Sequence, residues 1–168
     1  MNILTINDKK EEKILRRKTP DFDFSGHKRE EIQEMIKKMR EAIKKESGIG
    51  LSANQLGSDW RLFIAQIPSD EGKPKFYAIF NPNIIKLSKD KTALEEGCLS
   101  VPGLWGLVER PEQITITGFE KNGKKIKIKA WGLLARVFQH EIDHLNGILF
   151  IDRTNKLFKE AQEETANI

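Results

Sequence analysis

Cysteine occurs once in this 168-residue chain, as Cys98, so no internal disulfide can form. In a reducing compartment that thiol is available as a thiolate ligand. No apolar run approaches the length needed to cross a bilayer. Met1 to Pro20 has no apolar core of the signal-peptide kind, and its Asp8, Glu11 and Glu12 argue against an acid-poor transit peptide. The expected location is the cytoplasm. Repeats, linkers and low-complexity stretches are missing, which leaves one domain over residues 1–168, with 152–168 as a polar tail or helix. Charge is only mildly unbalanced, at +4, with lysine clusters at Lys37-Lys38, Lys44-Lys45 and Lys121 to Lys129. No RNA-binding signature or aromatic platform accompanies them, so no direct nucleic-acid specificity is expected. Histidine is scarce as well: there are three, and none follows His144.

What is present reads as a globular α+β chain, 38% hydrophobic and 32% charged. From Lys28 to Glu46, Ile32, Met35, Ile36, Met39 and Ile43 recur at spacings of three and four, which predicts an amphipathic helix stopped by Gly48. Gly48 to Gln55 reads as a tight loop or edge segment. Strands are expected at Arg61 to Ile67, Phe76 to Phe80, Ile84 to Leu87 and Ala93 to Leu99. Val108 to Arg110 precedes Pro111, and a further strand is expected at Gln113 to Phe119. Asn122-Gly123 predicts a two-residue hairpin turn into Lys125 to Lys129, whose lysines guard a sheet edge. Trp131 to Asn146 is a second helix, apolar over a wide arc and ended by Gly147. Ile148 to Ile151 reads as a short strand, and Asn155 to Glu164 as a short polar helix. The expected architecture is mostly antiparallel sheet packed around a central C-terminal helix, with an N-terminal amphipathic helix.

Two of the three histidines fall in His140-Glu141-Ile142-Asp143-His144. Positions i and i+4 share a helix face, so both imidazoles can meet one ion, with Glu141 beside them to handle a proton. Burying these groups in so apolar a helix without an ion would be costly. A third ligand is needed. Downstream the nearest carboxylate of the kind a zincin would use is Glu160, in a polar segment. Cys98 is the better candidate, because Gly97 lets the backbone approach closely. One thiolate and two imidazoles leave a fourth tetrahedral position open, as catalytic sites do. A zincin-like endopeptidase, a metal-stabilised binding module and a basic RNA-associated protein are the rival readings.

Gly48-Ile49-Gly50-Leu51-Ser52-Ala53-Asn54-Gln55, Glu96-Gly97-Cys98-Leu99-Ser100 and Gln139 to Leu145 stand in this order and spacing. Together they resemble peptide deformylase. Ile14 to Arg17 is similar to that family's opening segment, and the similarity is tight from Gly48 to about Asp152. Two positions depart from the pattern. Ser52 stands where the family more often has Ala. Trp105, seven residues after Cys98, stands where some bacterial members carry Arg near the substrate backbone.

The resemblance implies a metallohydrolase that removes the formyl group from the N-terminal methionine of nascent proteins and releases formate. It implies one divalent ion per chain on Cys98, His140 and His144. That ion is Fe²⁺ in the cell, with Zn²⁺, Ni²⁺ or Co²⁺ accepted in a purified sample. Water activated by the ion attacks the formyl carbon, and Glu141 serves as base and then acid. Gln55 and the Leu99 N–H are the oxyanion donors, as in the family. Ile49, Gly50 and Gly97 are expected at the peptide, with Ile49, Leu133 and Val137 around the methionine side chain. Buried charges need partners, so Asp143 is expected to pair with Arg110, and Glu96 with Arg136. The expected partners are N-formyl-Met nascent peptides and, transiently, the ribosome. No membrane partner is expected, and the protein is expected to be a monomer.

Overall fold

The computed structural model describes residues 2–68 and 72–159. Helix α1 covers Lys9–Leu15, where Asp8 accepts hydrogen bonds from the Lys10 and Glu11 N–H groups at 2.7 and 3.1 Å. This helix was not foreseen in the sequence. Helix α2, Arg29–Lys45, buries Ile32, Ile36, Met39 and Ile43 and matches its predicted stripe. Its stop differs from the prediction. Ser47, not Gly48, takes the left-handed conformation (φ 53°), and the Gly48 N–H closes the turn on the Ile43 carbonyl at 3.0 Å.

Strands follow at β1 Gly50–Ser52, β2 Leu62–Ile67, β3 Lys75–Leu87, β4 Lys91–Cys98, β5 Val101–Pro111, β6 Gln113–Phe119 and β7 Lys125–Trp131. Helix α3 then runs Gly132–Leu145, and β8 covers Leu157–Lys159. All pairings are antiparallel, in a five-stranded sheet of order β1-β2-β3-β6-β7 and a three-stranded sheet of order β4-β5-β8. The two stretches expected at 76–80 and 84–87 form one strand. A shift in register between Phe80 and Asn83, with Asn81 at φ 46°, bends it without ending it.

Both faces of β2 are covered, so its apolar run does not alternate. Leu62 and Ile64 pack on α2, while Phe63 and Ala65 pack on the α3 side with Ile114, Ile116, Phe138 and Ile142. At the other edge β7 does alternate: Ile126 and Ile128 are half-buried, and Lys125, Lys127 and Lys129 face water. The hairpin before β7 is longer than predicted. Gly123, at φ 78°, donates to the Glu120 carbonyl across a three-residue loop, Lys121 to Gly123.

Two C-terminal expectations are corrected. Ile148 to Ile151 does not form a strand; Phe150–Asp152 is a turn of 3₁₀ helix. The expected helix over Asn155 to Glu164 is a strand at Leu157–Lys159, because the open edge of β5 at Leu104 to Gly106 captures it. Residues 160–168 lie outside the described residues.

Gly147, at φ 75°, ends α3 as expected, and a side chain there would collide with the Arg16 carbonyl. The N-terminal segment wraps the rest of the fold. The Leu4 N–H donates to the Gln55 carbonyl (2.8 Å), Ile6 to Ser100 (2.9 Å) and Thr19 to Leu145 (2.9 Å). No helix among the described residues is long and apolar enough to cross a membrane.

Candidate metal centre

Helix α3 is buried along most of its length, and it presents His140 and His144 one turn apart toward the end of β4. Between Gly97 and Cys98 the β4–β5 register jumps from Trp105 to Val101. The irregularity re-aims the cysteine at the helix. Cys98 Sγ lies 3.1 Å from His144 Nε2, which lies 3.2 Å from His140 Nε2. One donor atom from each residue falls within 4.8 Å of the others. Bonds of about 2.0–2.3 Å to one tetrahedral ion would hold such atoms about 3.3–3.7 Å apart, so the trio fits a metal with little adjustment.

Charge within the trio suits that role. Burial pushes the Cys98 thiol up, but the His144 and His140 imidazoles outweigh it and hold the thiol well below its ordinary range. Burial pushes His140 down, but hydrogen bonds with Cys98 and Glu96 raise it well above the usual imidazole value. The Ser100 N–H adds a 3.4 Å contact to the sulfur. Both shifts favour the charged pair of sulfur and imidazole, and a cation bound among the three would take over the role of the proton they share.

Glu96 organises this centre more than the sequence suggested. Its Oε2 lies 3.0 Å from His140 Nδ1, so the Nδ1–H donates to the carboxylate and leaves Nε2 free for an ion. Arg110 grips Glu96 with two N–H groups, Nε at 2.6 Å and Nη2 at 2.9 Å. Its Nη1 reaches Asp143 at 2.7 Å. Arg136 Nη1 adds a third contact to Glu96, at 2.6 Å. Both expected pairs form, but Arg110 serves both acids. Arg153, which was not foreseen, also pairs with Asp143, donating from Nε at 3.1 Å. Burial raises Glu96, yet the hydrogen bonds from His140 and Arg110 win and hold it far below the usual carboxylate range.

Glu141 is buried, and burial raises its carboxyl above the usual range. It packs against Gly50, where any added side chain would overlap its Oε1 and press on Val137. Ser52 Oγ lies 2.7 Å from Glu141 Oε2 and 2.9 Å from the Glu141 main-chain oxygen. In the sequence Ser52 is only a departure from the family's more usual Ala, and the signal that points to its contact with Glu141 is the hydroxyl itself, absent from alanine. The Ser52 N–H donates to Gln55 Oε1 at 2.8 Å. That contact fixes the amide and turns Gln55 Nε2 toward Ser100 Oγ (3.1 Å) and Cys98 Sγ (3.7 Å). Leu99 sits in the turn after Cys98, and among the described residues its N–H donates to no acceptor.

A cleft of about 640 Å³ opens over these groups. Ile49, Leu133 and Val137 line it with Cys98, Gln55 and Glu141. Val137 is buried, while Ile49 and Leu133 keep 39% and 47% of their surface exposed, which leaves apolar side chains for a ligand to cover. Trp105 lays its ring against Gly97, where a side chain would come within 3.0 Å of it, and forms one wall.

The sequence pattern described as Polypeptide deformylase matches residues 1–160. A peptide deformylase of Desulforudis audaxviator is 39% identical over 132 residues, covering 79% of this chain and 83% of that protein. A peptide deformylase of Thermodesulfovibrio yellowstonii is 38% identical over 160 residues, 95% of this chain and 94% of that one. Among solved structures, a probable peptide deformylase from Synechococcus phage S-SSM7 superposes with a TM-score of 0.83 at 40% identity. It covers 92% of this chain and 99% of that one.

Proposed function

This chain belongs to the peptide deformylase family, and we propose that Cys98, His140 and His144 hold its one divalent ion, with Glu141 as the proton carrier. It is a metal-dependent hydrolase that removes the formyl group from the N-terminal methionine of nascent proteins, releasing formate and a free amine. The observation that carries the residue assignment is the convergence of the three ligand atoms within 4.8 Å in the same cleft as Glu141 and Gln55.

When bound, a divalent ion supplies the Lewis acidity that makes water nucleophilic near neutral pH. The Glu141 carboxylate takes a proton from the attacking water and returns it to the leaving nitrogen. Its raised pKa suits both halves of that transfer. Gln55 Nε2 and the Leu99 N–H face the developing oxyanion, and losing one such donor costs about 3 kcal/mol of transition-state stabilisation. Gly50 and Gly97 border the cleft, and an extended peptide pairs with their backbones. The methionine side chain covers Ile49, Leu133 and Val137.

Fe²⁺ is the ion we assign in the cell, with Zn²⁺, Ni²⁺ or Co²⁺ able to replace it, since thiolate and imidazole discriminate weakly. We place the protein in the cytoplasm as a monomer that meets the ribosome only transiently. The test is anaerobic incubation of metal-analysed protein with a formyl-Met peptide and its acetyl analogue. Formate is expected only from the first. Glu141→Gln should keep its metal and lose turnover; full activity in that variant would overturn the role of Glu141.

A further inference from the structure

We propose that the groove between α2 and the β6–β7 hairpin is a second binding site for the substrate chain, taking an acidic segment a few residues beyond the formyl-methionine. This rests on the assignment of the metal-centre cleft as the formyl site. The two depressions share a doorway. Ser47 and Gly48 line both the cleft over Cys98 and Glu141 and a groove of about 1090 Å³ on the α2 side.

Direction follows from burial. The formyl carbon must sit by Glu141, which packs on Gly50. Beyond Gly50 the way is closed, because Leu51 to Leu56 are all buried. A peptide pairing with the backbone at Gly50 therefore runs antiparallel to this chain, past Ile49 and Gly48 to the turn at Ser47. There it meets Lys44, Arg40 and Lys37, spaced four and three residues apart on one face of α2. Lys121 at the hairpin tip also lines the groove.

The cations are available. None of Lys37, Arg40, Lys44 and Lys121 makes an ion pair among the described residues, and the only carboxylates lining the groove are Glu41 and Glu120. Arg40 is held in place, its guanidinium 4.5 Å from the centroid of the Phe76 ring. That contact also covers the groove's one aromatic ring, which leaves no platform for stacking bases and favours an acidic peptide over single-stranded RNA. The seven helical steps from Lys44 to Lys37 rise about 10 Å, the span of about three extended residues. With about three residues alongside Gly50 to Gly48 before them, the segment concerned is about residues 4 to 6 of the substrate.

The test uses formyl-Met peptides of about ten residues, identical except for Glu, Ala or Lys at positions four to six. Exposed ion pairs are each worth about two-fold, so kcat/KM is expected to favour the acidic tail over the basic one by about ten-fold at low salt, mainly through KM. High salt should collapse the ratio. The Lys37→Glu/Arg40→Glu/Lys44→Glu variant should invert it. A wild-type ratio within two-fold of unity, or one unchanged in the variant, overturns the proposal, and the wild-type comparison decides even if the variant folds poorly. Wild-type binding of a labelled single-stranded RNA that the variant loses, with no preference among the peptides, overturns it in favour of nucleic acid. Absence of turnover on formyl-Met-Ala-Ser would instead overturn the formyl-site reading, and this proposal with it.

Discussion

Ser52 Oγ lies 2.7 Å from Glu141 Oε2 and joins the first glycine-rich segment to the carboxylate on α3 that we propose as the proton carrier. The hydroxyl favours the ionised carboxylate, opposing the burial that raises it. Removing it in Ser52→Ala raises the Glu141 pKa, so the acid limb of the kcat/KM profile moves to higher pH. The loss of activity is then larger at low pH than at high pH. A profile of unchanged shape would show that the hydroxyl does not act on the carboxylate.

Gly50→Ala forces its new methyl into Glu141 Oε1 and Val137 Cγ1. Displacing the carboxylate by about 1 Å is expected to cost about 100-fold in kcat, while the far-ultraviolet spectrum stays that of the wild type. Retained turnover would place the productive Glu141 rotamer elsewhere.

Arg110→Ala takes two hydrogen bonds from buried Glu96, which keeps Arg136 and His140, and leaves Asp143 with only the half-exposed Arg153. Breaking such a buried network costs about 3–5 kcal/mol. Urea unfolding should record that loss, and metal analysis should find less bound ion. Arg110→Lys recovers only part of it, since an ammonium cannot reproduce the two-pronged contact with Glu96.

Glu96 contributes a pH dependence whose sign is fixed. Its folded pKa lies below its ordinary 4.5, so its stabilisation is present above that value and is lost as pH falls below it. In the metal-free protein, wild type should lose more stability than Glu96→Gln between neutral pH and about pH 3. Parallel curves for the two proteins would contradict the contacts made by Glu96.

Metal uptake should release about one proton per chain; the lowered Cys98 thiol and the raised His140 imidazole make the imidazole the expected source. Calorimetry in buffers of different ionisation enthalpy counts the proton. The 240 nm thiolate absorbance, read before metal is added, identifies its source.

What could be read from the sequence follows local periodicity. Strand β6 matches its expected bounds, Gln113 to Phe119, and α3 its buried arc, because each pattern is carried by side chains close in sequence. The meeting of Cys98, His140 and His144 is legible because the two histidines share a helix face and the third is the only cysteine. Helix α1 was not: it buries only Leu15 and shows no stripe. Strand β8 owes its form to the free edge of β5, and a segment of three exposed residues carries no trace of that edge. The Glu96–His140 contact spans 44 positions and depends on where β4 stops pairing, which no local pattern encodes.

The chain on either side of α1 ties the loops of Gln55 and Leu99 together from behind. Leu4 bonds to Gln55 and Ile6 to Ser100, the neighbour of Leu99, while Thr19 holds the end of α3. During synthesis these three residues emerge well ahead of their partners. An affinity tag fused just upstream, or trimming of a few residues there, would loosen the spacing between Gln55 and Leu99 without touching Cys98, His140 or His144. Activity would then fall while the bound ion stayed in place.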